Sequence, residues 1–220
     1  MDPASIRKHI KIRPACPDDA SFLAQFILIA GRAHVRRGIW EVILGGSEKE
    51  CLSFLETLAV TKIPHLFHYS CYLMGEMGGS PVASLGGYNP QLMGYQALRA
   101  AIPEVVEKLW LTGVDPEGEE HSARVLDCVP ELIEGAWVID SVATFPEFRR
   151  QGIASMLLEE ILERGRKQGF RQAQINMYIG NTAAQRAYEE HGFRVLEIRR
   201  DPNFETEMGC PGMMSLVREL

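Results

Sequence analysis

Phe145-Pro146-Glu147-Phe148-Arg149-Arg150-Gln151-Gly152-Ile153-Ala154 joins an apolar strand to an amphipathic helix, and its reading decides the fold. Upstream, Ala136 to Thr144 alternates Ala136, Val138, Asp140 and Val142 on one face with Trp137, Ile139, Ser141 and Ala143 on the other. Both faces are mostly apolar, as in a central strand covered on both sides, so the single charge, Asp140, requires an explanation. Downstream, Gln151 to Lys167 predicts a helix anchored by Ile153, Met156, Leu157 and Ile161. The first turn of a helix offers N–H groups without internal partners and the positive end of the dipole, so an anion can sit there if no side chain obstructs it. Gly152 removes the obstruction, Ala154 keeps the next position slim, and Arg149 and Arg150 add charge suited to a pyrophosphate. Taken alone, the same hexapeptide also reads as an arginine-flanked helix start on a solvated face.

Working outward, Arg171 to Tyr178 predicts a strand, Thr182 to His191 a helix, Phe193 to Arg199 a strand and Met213 to Arg218 a last strand. This alternation is that of an α/β architecture. Within it, Asn181 and Tyr188 stand about two helical turns apart, with the small Ala184 between them on the shared face. Toward the N-terminus, Ile10 to Arg13 alternates like a short strand, Ala20 to Ala30 and Glu48 to Thr61 show helical spacing, and Pro64 ends the second helix. Two strands, Leu66 to Glu76 and Pro81 to Tyr88, flank Gly78-Gly79-Ser80 as a β-hairpin. Residues 90–134 predict helices over Gln91 to Ala101 and Val105 to Leu111, then an acidic stretch with Asp115, Glu117, Glu119, Glu120, Asp127, Glu131 and Glu134. We read this segment as an insertion over one face of a single domain spanning residues 1–220.

Composition narrows the function. The 220 residues are 46% hydrophobic and 24% charged, the balance of a soluble globular chain. No apolar run reaches the length of a membrane crossing and the N-terminus lacks a signal-peptide core, which points to the cytoplasm. A net charge of −6 counts against broad binding to nucleic acid. The five cysteines are scattered without metal-site spacing, so reduced thiols and no metal are expected; Cys71 reads as core and Cys210 as a loop thiol. No G-K-[ST] follows Gly152 and no G-x-G-x-x-G is present, which disfavours a P-loop hydrolase or a dinucleotide oxidoreductase.

Pro146-Glu147-Phe148-Arg149 through Ala154, and Asn181, Ala184, Tyr188, Gly192 and Phe193 in order, resemble the two signatures of the GNAT superfamily of acyl-CoA-dependent N-acyltransferases. Residues 136–199 carry the resemblance closely; the N-terminal strand and helix and the hairpin carry it in outline. Residues 90–134 depart from the pattern, and Ala154 stands where a second glycine is more frequent. The resemblance implies a single-domain α/β fold with a mixed, mostly antiparallel central sheet and helices on both faces. It also implies acetyl-CoA as co-substrate, with its pyrophosphate on Arg149, Arg150, Gln151, Gly152, Ile153 and Ala154. Backbone groups of Val142 and Thr144 would hold the pantetheine arm, and Asn181 and Ala184 would flank it. Tyr188 would protonate the departing thiolate. A homodimer is compatible with the same resemblance.

The chemistry is consistent with these roles. A phenol of pKa ~10 and an alkyl thiol of ~8.5 exchange a proton close to balance. The acceptor amine, pKa ~10, must lose a proton before it attacks, and Asp140 is the candidate base if burial raises its pKa or water relays the proton. Two other readings stay open: Asp140 as a substrate-binding or structural carboxylate, and Tyr188 as a packing aromatic. Glu76 is a weaker candidate base. Direct transfer is preferred to an acyl-cysteine route, because no cysteine lies in either signature. The expected activity is transfer of acetyl to a primary amine of a small molecule or peptide; the alternative is an acyl-CoA-binding sensor or scaffold. The acidic insertion, with Glu205 and Glu207 in a loop from Pro202 to Gly212, would draw a cationic acceptor, although such runs are often only a solvated face.

Overall fold

Strands β1 (Ile10–Pro14), β2 (Tyr72–Met77), β3 (Ser80–Tyr88), β4 (Trp137–Thr144), β5 (Gln172–Tyr178), β6 (Arg194–Arg200) and β7 (Gly212–Glu219) form one sheet in the order β1-β2-β3-β4-β5-β7-β6. The computed structural model describes residues 9–109 and 125–220. Every neighbouring pair is antiparallel except β4 with β5. The mixed, mostly antiparallel sheet is the one the sequence predicts. Gly78 and Gly79, both at positive φ, make the tight connection between β2 and β3 that an L side chain would strain.

One face is covered by α1 (Ala20–Arg32), α2 (Ile39–Leu44), α3 (Glu48–Leu58) and, past the short α4 (Pro90–Met93), by α5 (Tyr95–Leu109). Phe26, Ile27, Leu55 and Leu58 bury there against Tyr72, Met74, Tyr88 and Val138 of the sheet. On the other face α6 (Ile153–Lys167) lays Leu157 and Ile161 against Leu73, Leu85, Trp137 and Ile139, with Tyr188 of α7 (Thr182–Glu190) in the same cluster. A third cluster joins Phe204 and Met208 of α8 (Pro202–Met208) to Val42, Tyr178 and Met213. No helix among the described residues is long and apolar enough to cross a membrane.

Several expected boundaries move, each for a local reason. Leu66 to Ser70 does not extend β2; the chain turns instead, and the His65 and His68 rings accept the Phe67 and Ser70 N–H groups at 3.1 and 3.3 Å. Such side-chain bonds compete with a strand ladder. Helix α5 runs through Pro103 where a break is predicted. The proline removes one bond to the carbonyl of Arg99, an exposed residue whose carbonyl water can satisfy. Two predicted loops contain helices: Gly38 donates to Glu41 Oε2 at 2.8 Å at the start of α2, and Asp201 Oδ1 accepts from Phe204 N at 2.8 Å at the start of α8. Residues 115–120 of the acidic stretch, and the predicted helix end at Leu111, lie outside the described residues.

Candidate active site

The β4–β5 ladder holds only the pairs Trp137 with Ala173, Val138 with Gln174 and Ile139 with Ile175. Beyond Ile139 the strands part, although β4 stays paired with β3 as far as Thr144 and β5 with β7 as far as Tyr178. A wedge therefore opens between them, and the edge of β4 that faces it has no partner strand among the described residues. At the apex of the wedge β4 carries a bulge. Gly86 faces Asp140 and Ser84 faces Ala143, so β4 has one residue more than β3 across this interval. Ser141 takes the strain with φ +52°, where a residue with a Cβ is disfavoured.

The bulge corrects the predicted strand faces. Val138 and Asp140 share the α1/α3 face as expected, but the extra residue turns Val142 to the α6 cluster and Ala143 to the α1/α3 side. Asp140 keeps some solvent contact and accepts a hydrogen bond from Ser141 Oγ at 2.9 Å. Burial raises its pKa above the ordinary carboxylate range, and the Ser141 bond offsets this only in part. Tyr188 is buried, with its ring edge-on to Phe193 at 6.2 Å between centroids. Burial first and the Asp140 charge second push its pKa well up. Helix α7 is fixed by Asn181, whose Oδ1 accepts from Ala184 N at 3.3 Å; Ala184 packs partly buried behind it.

At the outer end of the wedge the chain enters α6. Gly152 is its N-cap in the left-handed region, φ +77°, and a Cβ there would meet no atom within 4 Å. Arg150 is also left-handed, φ +59°, and the N–H groups of Arg150, Gln151 and Gly152 donate to no other backbone group among the described residues. Ile153 is buried and anchors the helix, while Ala154 is half-buried. Gln151 Nε2 braces the turn on Glu147 O at 3.1 Å, and Arg149 Nε on Thr144 O at 3.1 Å. Thr144 therefore gives its carbonyl to Arg149, a bond its sequence position does not reveal. Both guanidiniums lie at the exposed rim. Unpaired N–H groups, an open glycine and two cations fit a diphosphate.

Glu76 lies away from this arrangement. It pairs with Arg13 Nε at 2.7 Å, and Arg13 in turn holds Asp19 at 2.6 Å. Among the described residues no group of three or more His, Cys, Asp or Glu side chains is placed to hold a metal ion. Cys71 is buried as core, and Cys210, expected in a loop, is buried beside α8. Absent from the sequence reading are Tyr72, Tyr88, Tyr95 and Tyr178, whose pKa values all respond to Asp140. The signal for them was Gly86-Gly87 within a strand, which marks a close approach. A Cβ on Gly86 would lie 3.1 Å from the Tyr72 ring.

A mixed sheet with a wedge between its two parting parallel strands, and a turn with free backbone N–H groups at the start of the following helix, define an α/β protein of distinct type. The profile of the Acetyltransferase (GNAT) family matches residues 50–193, and the chain belongs to that family. Family membership implies use of an acyl-CoA. Among solved structures, one described as an acetyltransferase superposes with a TM-score of 0.66 at 18% identity, covering 95% of this chain and 98% of its own. An N-acetyltransferase from Staphylococcus aureus Mu50 gives 0.65 at 19% identity, covering 94% and 100%. These likenesses show the fold. A search of curated protein sequences returns no match.

Proposed function

We propose that the protein transfers the acetyl group of acetyl-CoA directly to a primary amine, with Asp140 as base and Tyr188 as acid. The observation that supports this reading is the wedge itself: β4 and β5 part beyond Ile139, Asp140 is the next residue of β4 at that point, and Tyr188 is buried in the cluster on the other face of the sheet. Acetyl-CoA supplies a thioester whose acyl carbon the amine attacks. The diphosphate-sized turn at Arg149, Arg150, Gln151, Gly152, Ile153 and Ala154 holds one end of the ligand, and the unpaired β4 backbone around Val142 orients its arm. Asn181, with its Oδ1 already capping α7, keeps its amide NH2 for the arm. Asp140 takes the proton that turns the ammonium into a nucleophile, and its raised pKa narrows the mismatch with an amine near ~10. A carbon–nitrogen bond forms, the carbon–sulfur bond breaks, the sulfur receives the Tyr188 proton, and the second proton shed by the new amide nitrogen restores the phenol; the net change yields an amide, a thiol and the one proton taken by Asp140.

The two groups assist one another. The Asp140 charge raises the Tyr188 pKa, so a proton arriving on Asp140 removes that contribution and makes the phenol a stronger acid as the sulfur needs it. Thiol release from acetyl-CoA across a panel of primary amines tests the reading. Release that depends on the amine supports it; acetyl-CoA binding without release from any amine makes the protein an acyl-CoA-binding module instead.

A further inference from the structure

Five tyrosines are influenced by the Asp140 carboxylate, and three of their hydroxyls have no assigned use. Tyr178 donates to the Gly31 carbonyl at 2.8 Å, and Tyr188 has the role proposed above. Tyr72 and Tyr88 are fully buried, and neither hydroxyl makes a hydrogen bond of ordinary geometry, the Tyr72 hydroxyl coming nearest to Ser141. A buried hydroxyl left unpaired is costly, and such a group in a native fold calls for a water or a ligand to complete it. Tyr95 is the first residue of α5 in the segment that departs from the family pattern. It is 42% exposed, and burial first and Asp140 second push its phenol up to about 12.

The sheet aims these groups at one point. Tyr72, Gly86 and Asp140 occupy one register row across β2, β3 and β4, two strand spacings or about 10 Å from end to end. With hydrogen alone at Gly86, the Tyr72 ring lies across β3 toward the carboxylate. Tyr88, two residues on along β3, shares that face. The influences on Asp140 are burial and Ser141, and no cationic side chain offsets its charge among the described residues.

We propose that Tyr72, Tyr88 and Tyr95 surround Asp140 as the receptor for the acceptor's ammonium group, which selects a slim primary amine on an apolar stem with no carboxylate beside the nitrogen. A primary ammonium has three N–H donors, and the site offers three acceptors: the Asp140 carboxylate and the Tyr72 and Tyr88 oxygens. The Tyr95 ring adds cation–π attraction at the opening. A carboxylate next to the amine would meet Asp140 in a shielded place without a cation, a repulsive arrangement. This inference rests on Asp140 marking the acceptor end of the site.

The test compares n-pentylamine with norleucine, the same stem bearing a carboxylate, and with 1-pentanol, its neutral counterpart. Binding is followed by NMR titration without acetyl donor, and turnover by thiol release. Pentylamine should bind at least tenfold more tightly than either. Tyr95→Leu, at a half-exposed position, should weaken it about three- to tenfold. Tyr72→Phe and Tyr88→Phe remove only the hydroxyls and keep the packed rings, so the fold persists, and each should raise KM for pentylamine more than it lowers kcat. Equal binding of pentylamine and norleucine, or indifference to all three variants, overturns the cage. Tyrosine-dependent binding without thiol release supports the cage and refutes the acetyltransferase reading. Thiol release that ignores the tyrosines does the reverse.

Discussion

Asp140 stands out in the sequence because a charge inside an apolar strand contradicts its surroundings, and such contradictions concentrate at functional sites. Its surroundings were not legible. That Tyr72 lies in its row depends on the pairing of three strands distant in sequence, which no local pattern specifies. Val142 was misplaced for a related reason: a bulge is a one-residue change of parity, and Ser141 is not a residue type that announces left-handed backbone. If Asp140 is the base, kcat/KM rises with pH through its raised pKa, because only the carboxylate accepts a proton. Asp140→Asn should remove that acid limb and lower turnover on the order of 10²-fold or more, measured by thiol release from pH 4 to 9. Tyr188→Phe should lower kcat by a similar order while leaving acetyl-CoA affinity unchanged by calorimetry. A variant with wild-type turnover would return Tyr188 to a packing role against Phe193.

At the scale of elements, the open glycine and the two arginines at the turn into α6 are legible because their physics is local, whereas the left-handed Arg150 and the Arg149 bond to the Thr144 carbonyl are not. Gly152→Glu should therefore abolish CoA binding through a blocked approach and like-charge repulsion. The space around the Cβ is open, so the fold should persist, at a cost of roughly 1–2 kcal/mol for the left-handed backbone. Circular dichroism alongside a CoA titration separates the two effects. Gly87 in β3 has the opposite role. A Cβ there would lie 2.4 Å from Ile161 Cγ1 of α6 and 2.9 Å from Trp137 Cζ2, so the glycine sets how closely helix and sheet approach. Gly87→Ala should cost about 1–3 kcal/mol by overpacking, read as a lowered denaturation midpoint. Short elements escaped the reading. Helices of six and seven residues, α2 and α8, owe their existence to tertiary contacts of Trp40, Val42, Phe204 and Met208 rather than to an extended periodic pattern.

For the whole molecule, strand and helix alternation in the second half prescribed the class of fold, but the order of the strands was not written there. β7 enters between β5 and β6, so the last strand in sequence is central and its Leu216 and Ser215 are buried. The same tertiary enclosure buries His65 and His68 in the turn ahead of β2, and this gives the fold a pH dependence that neither histidine's sequence neighbours suggest. Burial lowers His65 to about 4 from an ordinary 6.5, with His68 adding to the effect, and lowers His68 in the same direction. Between those values the unfolded chain binds protons that the native state refuses, so stability falls as pH drops from 6.5 toward 4; for His65 alone this amounts to about 3 kcal/mol. Asp140 acts with the opposite sign, since its folded pKa is raised and the native state gains stability as it is protonated. Asp19, held down to about 2 by Arg13, loses its contribution only at lower pH, as it falls through the carboxylate range. Two histidines against one carboxylate leave a net loss. Urea midpoints at pH 7.0 and 4.5 should therefore separate three proteins: the wild type loses stability, His65→Gln loses less, and Asp140→Asn loses more because the opposing gain is gone. Equal losses in all three would remove the buried histidines and Asp140 as the source of the acid response.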